Sequence, residues 1–174
     1  MSFLKLLGFG PGDSDPPSND ENLRKIIEAL DSMDTREARY LGMFAYILGR
    51  VAHADLDVSQ EETREMEKIV RELGQLPADQ AILVVQMAKA QNRLFGGTDN
   101  FLITREFNKL ATKDQKIALM RCLFAVSSSD EEISSEEDRE VRQIASELKL
   151  EHKEFIAIRS EYKQHLSVLK KRRG

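Results

Sequence analysis

The feature that most constrains this chain is a segment that occurs twice. Val51-Ala-His-Ala-Asp-Leu-Asp-Val-Ser-Gln-Glu-Glu continues as a helical pattern to Leu73. Val126-Ser-Ser-Ser-Asp-Glu-Glu-Ile-Ser-Ser-Glu-Glu, 75 residues later, continues to Leu148. Asp55, Ser59, Glu61, Glu62, Arg64, Glu65, Ile69, Glu72 and Leu73 recur as Asp130, Ser134, Glu136, Glu137, Arg139, Glu140, Ile144, Glu147 and Leu148. Val58 becomes Ile133 and Met66 becomes Val141, so the apolar positions repeat together with the charged ones. Such agreement marks an internal duplication of a helix–acidic turn–helix unit, and a repeated unit limits the fold before any other argument is made.

The rest of the chain reads as helix from about residue 20 onward. Leu23, Ile26, Ile27 and Leu30 follow the i, i+3, i+4, i+7 spacing of an amphipathic helix, with Asn19 or Asp20 placed to cap it. Leu41, Phe44, Ala45, Leu48, Val51 and Ala52 form a longer stripe that ends at the first acidic turn. Met66, Ile69, Val70 and Leu73 carry the next helix, with Gly74 expected to end it as a left-handed cap and Pro77 to open another. Ile82-Leu-Val-Val85 alone has strand character, but Met87, Ala88, Ala90 and Leu94 extend the apolar pattern beyond strand length and favour a buried helix. Gly96-Gly97 breaks the chain between the repeats, and a shorter helix is expected near Asn100–Leu110. Thr112 and Gln115 have capping-box spacing, and Ile117, Met120, Leu123 and Phe124 lead to the second turn. Val141, Ile144, Ala145 and Leu148 follow it, and Phe155, Ile158, Tyr162 and Leu169 share a face of the last helix.

These patterns predict an all-α fold: a seven- or eight-helix bundle built from two pseudo-repeats, related by a pseudo-twofold and packed on each other. Neither half can bury its stripe alone. The expected organisation is a short apolar peptide plus linker over 1–19, a helical domain over 20–169 and a basic tail over 170–174. After Met1, the segment to Gly10 carries five large apolar residues, Phe3, Leu4, Leu6, Leu7 and Phe9, and one lysine, which is shorter than a secretory core and lacks a small-residue cleavage site. It reads either as a peptide docked on the body or as a weak peripheral membrane anchor.

Composition removes several classes of function. A net charge of −4 argues against a nucleic-acid surface, and Lys170-Lys-Arg-Arg173 is too short to reverse that. No stretch approaches the roughly 18 apolar residues of a membrane span. The single cysteine, Cys122, lies in an apolar pattern and permits no intramolecular disulfide, which fits a cytoplasmic location. His53, His152 and His165 lack zinc-site spacing. Ser127-Ser-Ser129 lacks a glycine-flanked nucleophile context, and Gly96-Gly97 is not followed by the Lys-Ser/Thr of a phosphate loop. No catalytic residue and no organic cofactor is expected.

The acidic turns carry the candidate chemistry. Asp55 with Glu62 and Asp130 with Glu137 are the metal-site candidates, and Asp57, Glu61, Glu131, Glu132 and Glu136 add oxygen ligands of the kind that Ca²⁺ and Mg²⁺ take. Neither turn is an EF-hand, because the sixth and twelfth positions counted from each aspartate are Gln60 and Met66, and Ser135 and Val141. Ser59 with Glu62 and Ser134 with Glu137 also have capping-box spacing, with acidic first turns that suit the helix dipole. Capping accounts for those four residues. It does not account for Asp55 and Asp130, which precede the caps by four residues.

At these turns the sequence resembles the TerB-like superfamily, which includes tellurite-resistance protein B and the N-terminal domain of the DjlA co-chaperone. The shared pattern, Ala-Asp-Gly-x-Ile/Val-Ser-x-x-Glu, reads here as Ala54-Asp55-Leu56-Asp57-Val58-Ser59-Gln60-Glu61-Glu62 and Ser129-Asp130-Glu131-Glu132-Ile133-Ser134-Ser135-Glu136-Glu137. Leu56 and Glu131 stand where the family has glycine. The resemblance covers roughly residues 20–165. It implies an all-α bundle with an acidic surface, associated with stress response and with binding of a divalent cation or a protein partner at Asp55, Glu62, Asp130 and Glu137. The sequence contains neither the co-chaperone's transmembrane segment nor its His-Pro-Asp J-domain, so that activity is not carried over. The expectation is a non-enzymatic module with an acidic face; the alternative is a membrane-peripheral adaptor docking through residues 1–19.

Overall fold

The computed structural model describes residues 21–52, 59–90, 100–127 and 135–161. Among these, eight helices and no strand occur: α1 (Glu21–Asp31), α2 (Thr35–Ala52), α3 (Gln60–Glu72), α4 (Ala78–Lys89), α5 (Asn100–Leu110), α6 (Lys113–Ser127), α7 (Ser135–Glu147) and α8 (152–161). The N-terminal peptide and linker, the basic tail, Asp55, Asp130, the Ser134 cap, Gly96-Gly97, Tyr162 and Leu169 lie outside the described residues.

α2 is the centre of the bundle. Eleven of its 18 residues are buried, including Gly42 and Gly49. A helix apolar on all sides has to be enclosed, and α2 packs against α1, α4, α5, α6 and α7. α6 is the second inner helix, burying Leu119, Met120, Cys122, Leu123 and Phe124. α3 and α7 are amphipathic and lie outside them. α3 sinks Thr63, Met66 and Val70 between α4 and α6, and α7 sinks Val141, Ile144 and Ala145 against α2, α5 and α6. The segment with strand character, Ile82–Val85, is helical, since α4 buries Ala81, Val84, Val85 and Ala88 on one face. Ile82 is on the other face and remains 47% exposed.

Helix ends follow local chemistry, with two departures from expectation. The Thr112–Gln115 capping box is present: Gln115 N–H donates to Thr112 Oγ1 at 3.2 Å, and Thr112 N–H donates to Gln115 Oε1 at 2.8 Å. Gly74, however, is not the left-handed residue after α3. Gln75 is, at φ 57°. Gly74 is required for closeness instead: a Cβ there would lie 2.4 Å from the Val70 carbonyl oxygen, 3.2 Å from Cys122 Sγ and 3.3 Å from Phe44 Cζ. Pro77 is the N-cap of α4 rather than its first helical residue, with ψ 155°.

α8 closes the bundle over α6 and α7. Phe155 and Ile158 are buried, and the Phe155 ring meets Phe124 at a centroid distance of 5.5 Å. The Arg142 guanidinium lies 5.7 Å from the Phe155 centroid on another side. Lys113 at the start of α6 pairs with Glu154.

Candidate functional site

The helices flanking the two acidic turns repeat at one offset. α2 ends at Ala52 and α6 at Ser127, while α3 spans Gln60–Glu72 and α7 spans Ser135–Glu147, each pair 75 residues apart. At the first turn Ser59 is the N-cap of α3. Glu62 N–H donates to Ser59 Oγ at 3.1 Å, and the Glu62 carboxylate accepts from Ser59 N–H at 3.3 Å. Of the four metal-site candidates, Glu62 is thus engaged in a complete capping box, with its side chain exposed. Glu137 lies on the first turn of α7, while Asp55 and Asp130 lie outside the described residues. Among the described residues no three His, Cys, Asp or Glu side chains are grouped to hold a metal ion.

A lysine stands behind the first cap. Thr63 Oγ1 donates to the Ser59 carbonyl at 2.9 Å and accepts from Lys89 Nζ at 3.2 Å. The half-buried Lys89 therefore ties the end of α4 to the start of α3, immediately behind the exposed Glu61, Glu62 and Glu65. Ser127, at the edge of the second turn, is buried and donates to the Leu123 carbonyl at 2.7 Å, an ordinary back-bond within a helix and not a nucleophile's environment. Cys122 is fully buried, its Sγ 3.8 Å from the Ile69 carbonyl, and burial pushes its pKa up to about 12. A thiol held protonated in this way is inert.

Sequence reasoning missed a buried charge network between the repeats. Arg50, near the end of α2, reaches across to α7. Its Nε donates to Glu140 Oε1 at 2.7 Å and its Nη1 to Glu147 Oε2 at 3.1 Å. The Arg50 and Glu147 side chains are each 6% exposed. Thr104 Oγ1 on α5 lies 3.2 Å from Glu147 Oε1, and Asn108 Nδ2 donates to the Glu147 carbonyl at 3.3 Å. Glu140 and Glu147 are the copies of Glu65 and Glu72, both of which are exposed. Ala125 occupies the position equivalent to Arg50, so the first copy's glutamates have no arginine opposite them at that position. The signal in the sequence was a single arginine inside the apolar stripe Leu48-Gly49-Arg50-Val51, together with two glutamates seven residues apart on one helix face.

Above this network lies an open groove of about 530 Å³ between α5, the beginning of α6 and the end of α7. Arg105, Lys109, Lys116 and Lys149 line it, with Glu147 and Asn108 beneath and Phe101, 56% exposed, alongside. Lys149 holds a left-handed φ of 60° at the end of α7.

The sequence from Leu41 to Ser160 matches the family described as tellurite resistance protein TerB. That span is more than half of the chain. The chain belongs to the TerB family. No curated protein and no solved structure matches it. The TerB span begins within α2 and ends within α8, so it contains both acidic turns, the Arg50 network and the basic groove, while α1 precedes it. No helix among the described residues of this TerB chain is long and apolar enough to cross a membrane.

Proposed function

We propose that this TerB module is non-enzymatic and acts in a stress response, such as that to tellurite, by presenting its acidic turns to a divalent cation or to a basic protein partner. The observation that carries this reading is the division of labour at the first turn. Ser59 and Glu62 supply both halves of the capping box, which accounts for those two residues and leaves Asp55, four residues earlier in the sequence, to be explained. The sequence repeats this arrangement at Asp130. Glu61, Glu62 and Glu65 add exposed carboxylates at the positive end of α3. Oxygen donors in this number suit a hard cation, bound modestly, and equally suit a lysine- or arginine-rich segment.

Isothermal titration with Ca²⁺, Mg²⁺ and Mn²⁺ separates the two ligands. Heat from the wild-type chain that disappears in Asp55→Asn/Asp130→Asn assigns the cation. No heat with any of the three leaves the protein partner, to be captured by the intact acidic face. Equal capture by a chain with Asp55, Glu61, Glu62 and Asp130 neutralised would overturn the proposal.

A further inference from the structure

We propose that the groove between α5, the start of α6 and the end of α7 binds a polyphosphate group, either free or as the tail of a nucleotide. Four cationic side chains, Arg105, Lys109, Lys116 and Lys149, converge on about 530 Å³ in a chain whose net charge is −4. A cavity of this size lies within the range of small-molecule sites, roughly 300–1,000 Å³. A concave surface lined by one sign of charge concentrates ligands of the other. Among the described residues, Glu61, Glu62 and Glu65 of the first turn lie outside its lining.

Three features distinguish the groove from a chance run of surface lysines. The carboxylate that lines it, Glu147, is nearly out of solvent and bonded at 3.1 Å to Arg50, which it shares with Glu140, so it offsets the four cations only in part. Glu106 pairs with Lys109 at 3.3 Å and Arg105 at 3.8 Å, but these are solvent-exposed contacts that an incoming phosphate readily displaces. Lys116 and Lys149 form no ion pair with a carboxylate among the described residues.

The second feature is the backbone at Lys149. Lys149 N–H donates to the Ser146 carbonyl at 3.0 Å and Leu150 N–H to the Ala145 carbonyl at 3.1 Å, which is the Schellman ending of α7. Glycine is the residue that this left-handed position favours, and a lysine there carries a conformational cost. Strained positions of this kind gather at ligand-binding sites. The third feature is Asn108, whose Nδ2 is fixed on the Glu147 carbonyl while its buried Oδ1 has no hydrogen-bond partner. Asn108 lines the groove, and a rotation of its side chain would be needed to offer that oxygen to a hydroxyl or amino group carried by the ligand.

The test uses the full chain, titrated with sodium tripolyphosphate, adenosine triphosphate and adenosine at about 50 mM salt, where charge attraction is weakly screened. Tripolyphosphate and adenosine triphosphate should both bind, and binding should weaken as salt is raised. Tighter binding of the nucleotide identifies a nucleotide tail, and equal binding identifies the polyphosphate itself. Lys116→Gln/Lys149→Gly should lose about tenfold in affinity. Lys149→Gly alone should raise Tm by about 2 °C while weakening binding, because it relieves the left-handed residue. A strictly structural lysine would not give that opposite pair of effects. Failure of tripolyphosphate to bind, binding by adenosine alone, or equal affinities for wild type and the double variant would overturn the proposal. None of these outcomes depends on Asp55 or Asp130, so the acidic-turn reading is tested separately.

Discussion

Arg50 Nη1 lies 3.1 Å from Glu147 Oε2, with both side chains 6% exposed, and this contact joins the two repeats. The positions that Glu140 and Glu147 occupy are glutamates in both copies, but Glu140 and Glu147 pair with a buried arginine on α2, whereas Glu72 meets only the exposed Arg71 of its own helix at 4.0 Å. α3 and α7 carry glutamates at matching positions of the sequence, and one arginine on α2 distinguishes them. α7 is thereby fixed to α2 by charge as well as by Val141, Ile144 and Ala145, whereas α3 is held through Met66 and Val70.

Arg50→Ala should cost about 3–5 kcal/mol, since removing one member of a buried pair strands the other charge in a poorly solvated site. Glu72→Gln, at the equivalent exposed position, should change stability by no more than about 0.5 kcal/mol. Urea unfolding followed by circular dichroism measures both. Similar values for the two variants would show that the Arg50 network adds nothing to stability.

Gly74 and Gln75 should respond in opposite directions. Gly74→Ala introduces a Cβ that collides with the Val70 carbonyl and crowds Cys122 and Phe44, an overpacking expected to cost about 1–3 kcal/mol. Gln75→Gly relieves a left-handed residue at φ 57° and should stabilise by up to about 1 kcal/mol. Thermal unfolding of the two variants checks the pair, and a neutral Gly74→Ala would remove the close-approach explanation.

The contrast at these two neighbouring residues shows what the sequence could and could not disclose. Helix positions were readable because burial enforces a 3.6-residue period, and the Ser59–Glu62 and Thr112–Gln115 boxes because both partners lie within one turn of chain. The exit from α3 departs from the expected left-handed glycine because Gly74 answers first to the Val70 carbonyl, and then to Cys122 and Phe44 from other helices, rather than to its own φ. The Arg50 pairs span 90 and 97 residues. The groove draws its cations from two helices and the end of a third, so no local pattern reveals it. Asp55 and Asp130 stand out in the sequence because capping leaves them unexplained, and both lie outside the described residues.

Alkaline pH should destabilise the fold from about the ordinary thiol pKa upward. Burial raises Cys122 from 9.0 to about 12 and raises the Tyr40 phenol as well, with Cys122 adding a smaller charge effect. Both groups stay protonated in the folded chain while the unfolded chain ionises them. Their contribution is therefore complete below pH 9 and is lost as pH rises through the folded values. Tm should fall progressively above pH 9, and a thiol reagent at pH 8 should label Cys122 only as fast as the chain opens. Immediate stoichiometric labelling of native protein would contradict this burial.

The Lys113–Glu154 pair should produce a smaller effect at the acid end. Hydrogen bonding to Lys113 lowers Glu154, and the same bond raises Lys113. A lowered carboxylate stabilises above its unfolded pKa, and that contribution disappears as pH falls through the folded value. The pair is near the surface, so Lys113→Ala should flatten the acid limb slightly at low salt and leave it unchanged at high salt. A salt-independent loss would mean that Lys113 acts through packing of its stem rather than through charge.

The sharpest separation of structure from function is available at the first acidic turn. Ser59→Ala removes the acceptor for Glu62 N–H and should cost about 1 kcal/mol, the usual loss for a serine cap. Asp55→Asn keeps both members of the capping box and should leave urea stability within about 0.5 kcal/mol of wild type. If the acidic turn serves only to begin α3, the two variants will differ in stability and agree in every binding assay. If Asp55 contacts a cation or a basic partner, Asp55→Asn will lose binding at unchanged stability, while Ser59→Ala keeps binding at a lower midpoint. Measuring both quantities on both variants therefore decides whether the aspartate that starts each repeat has a role beyond the helix that follows it.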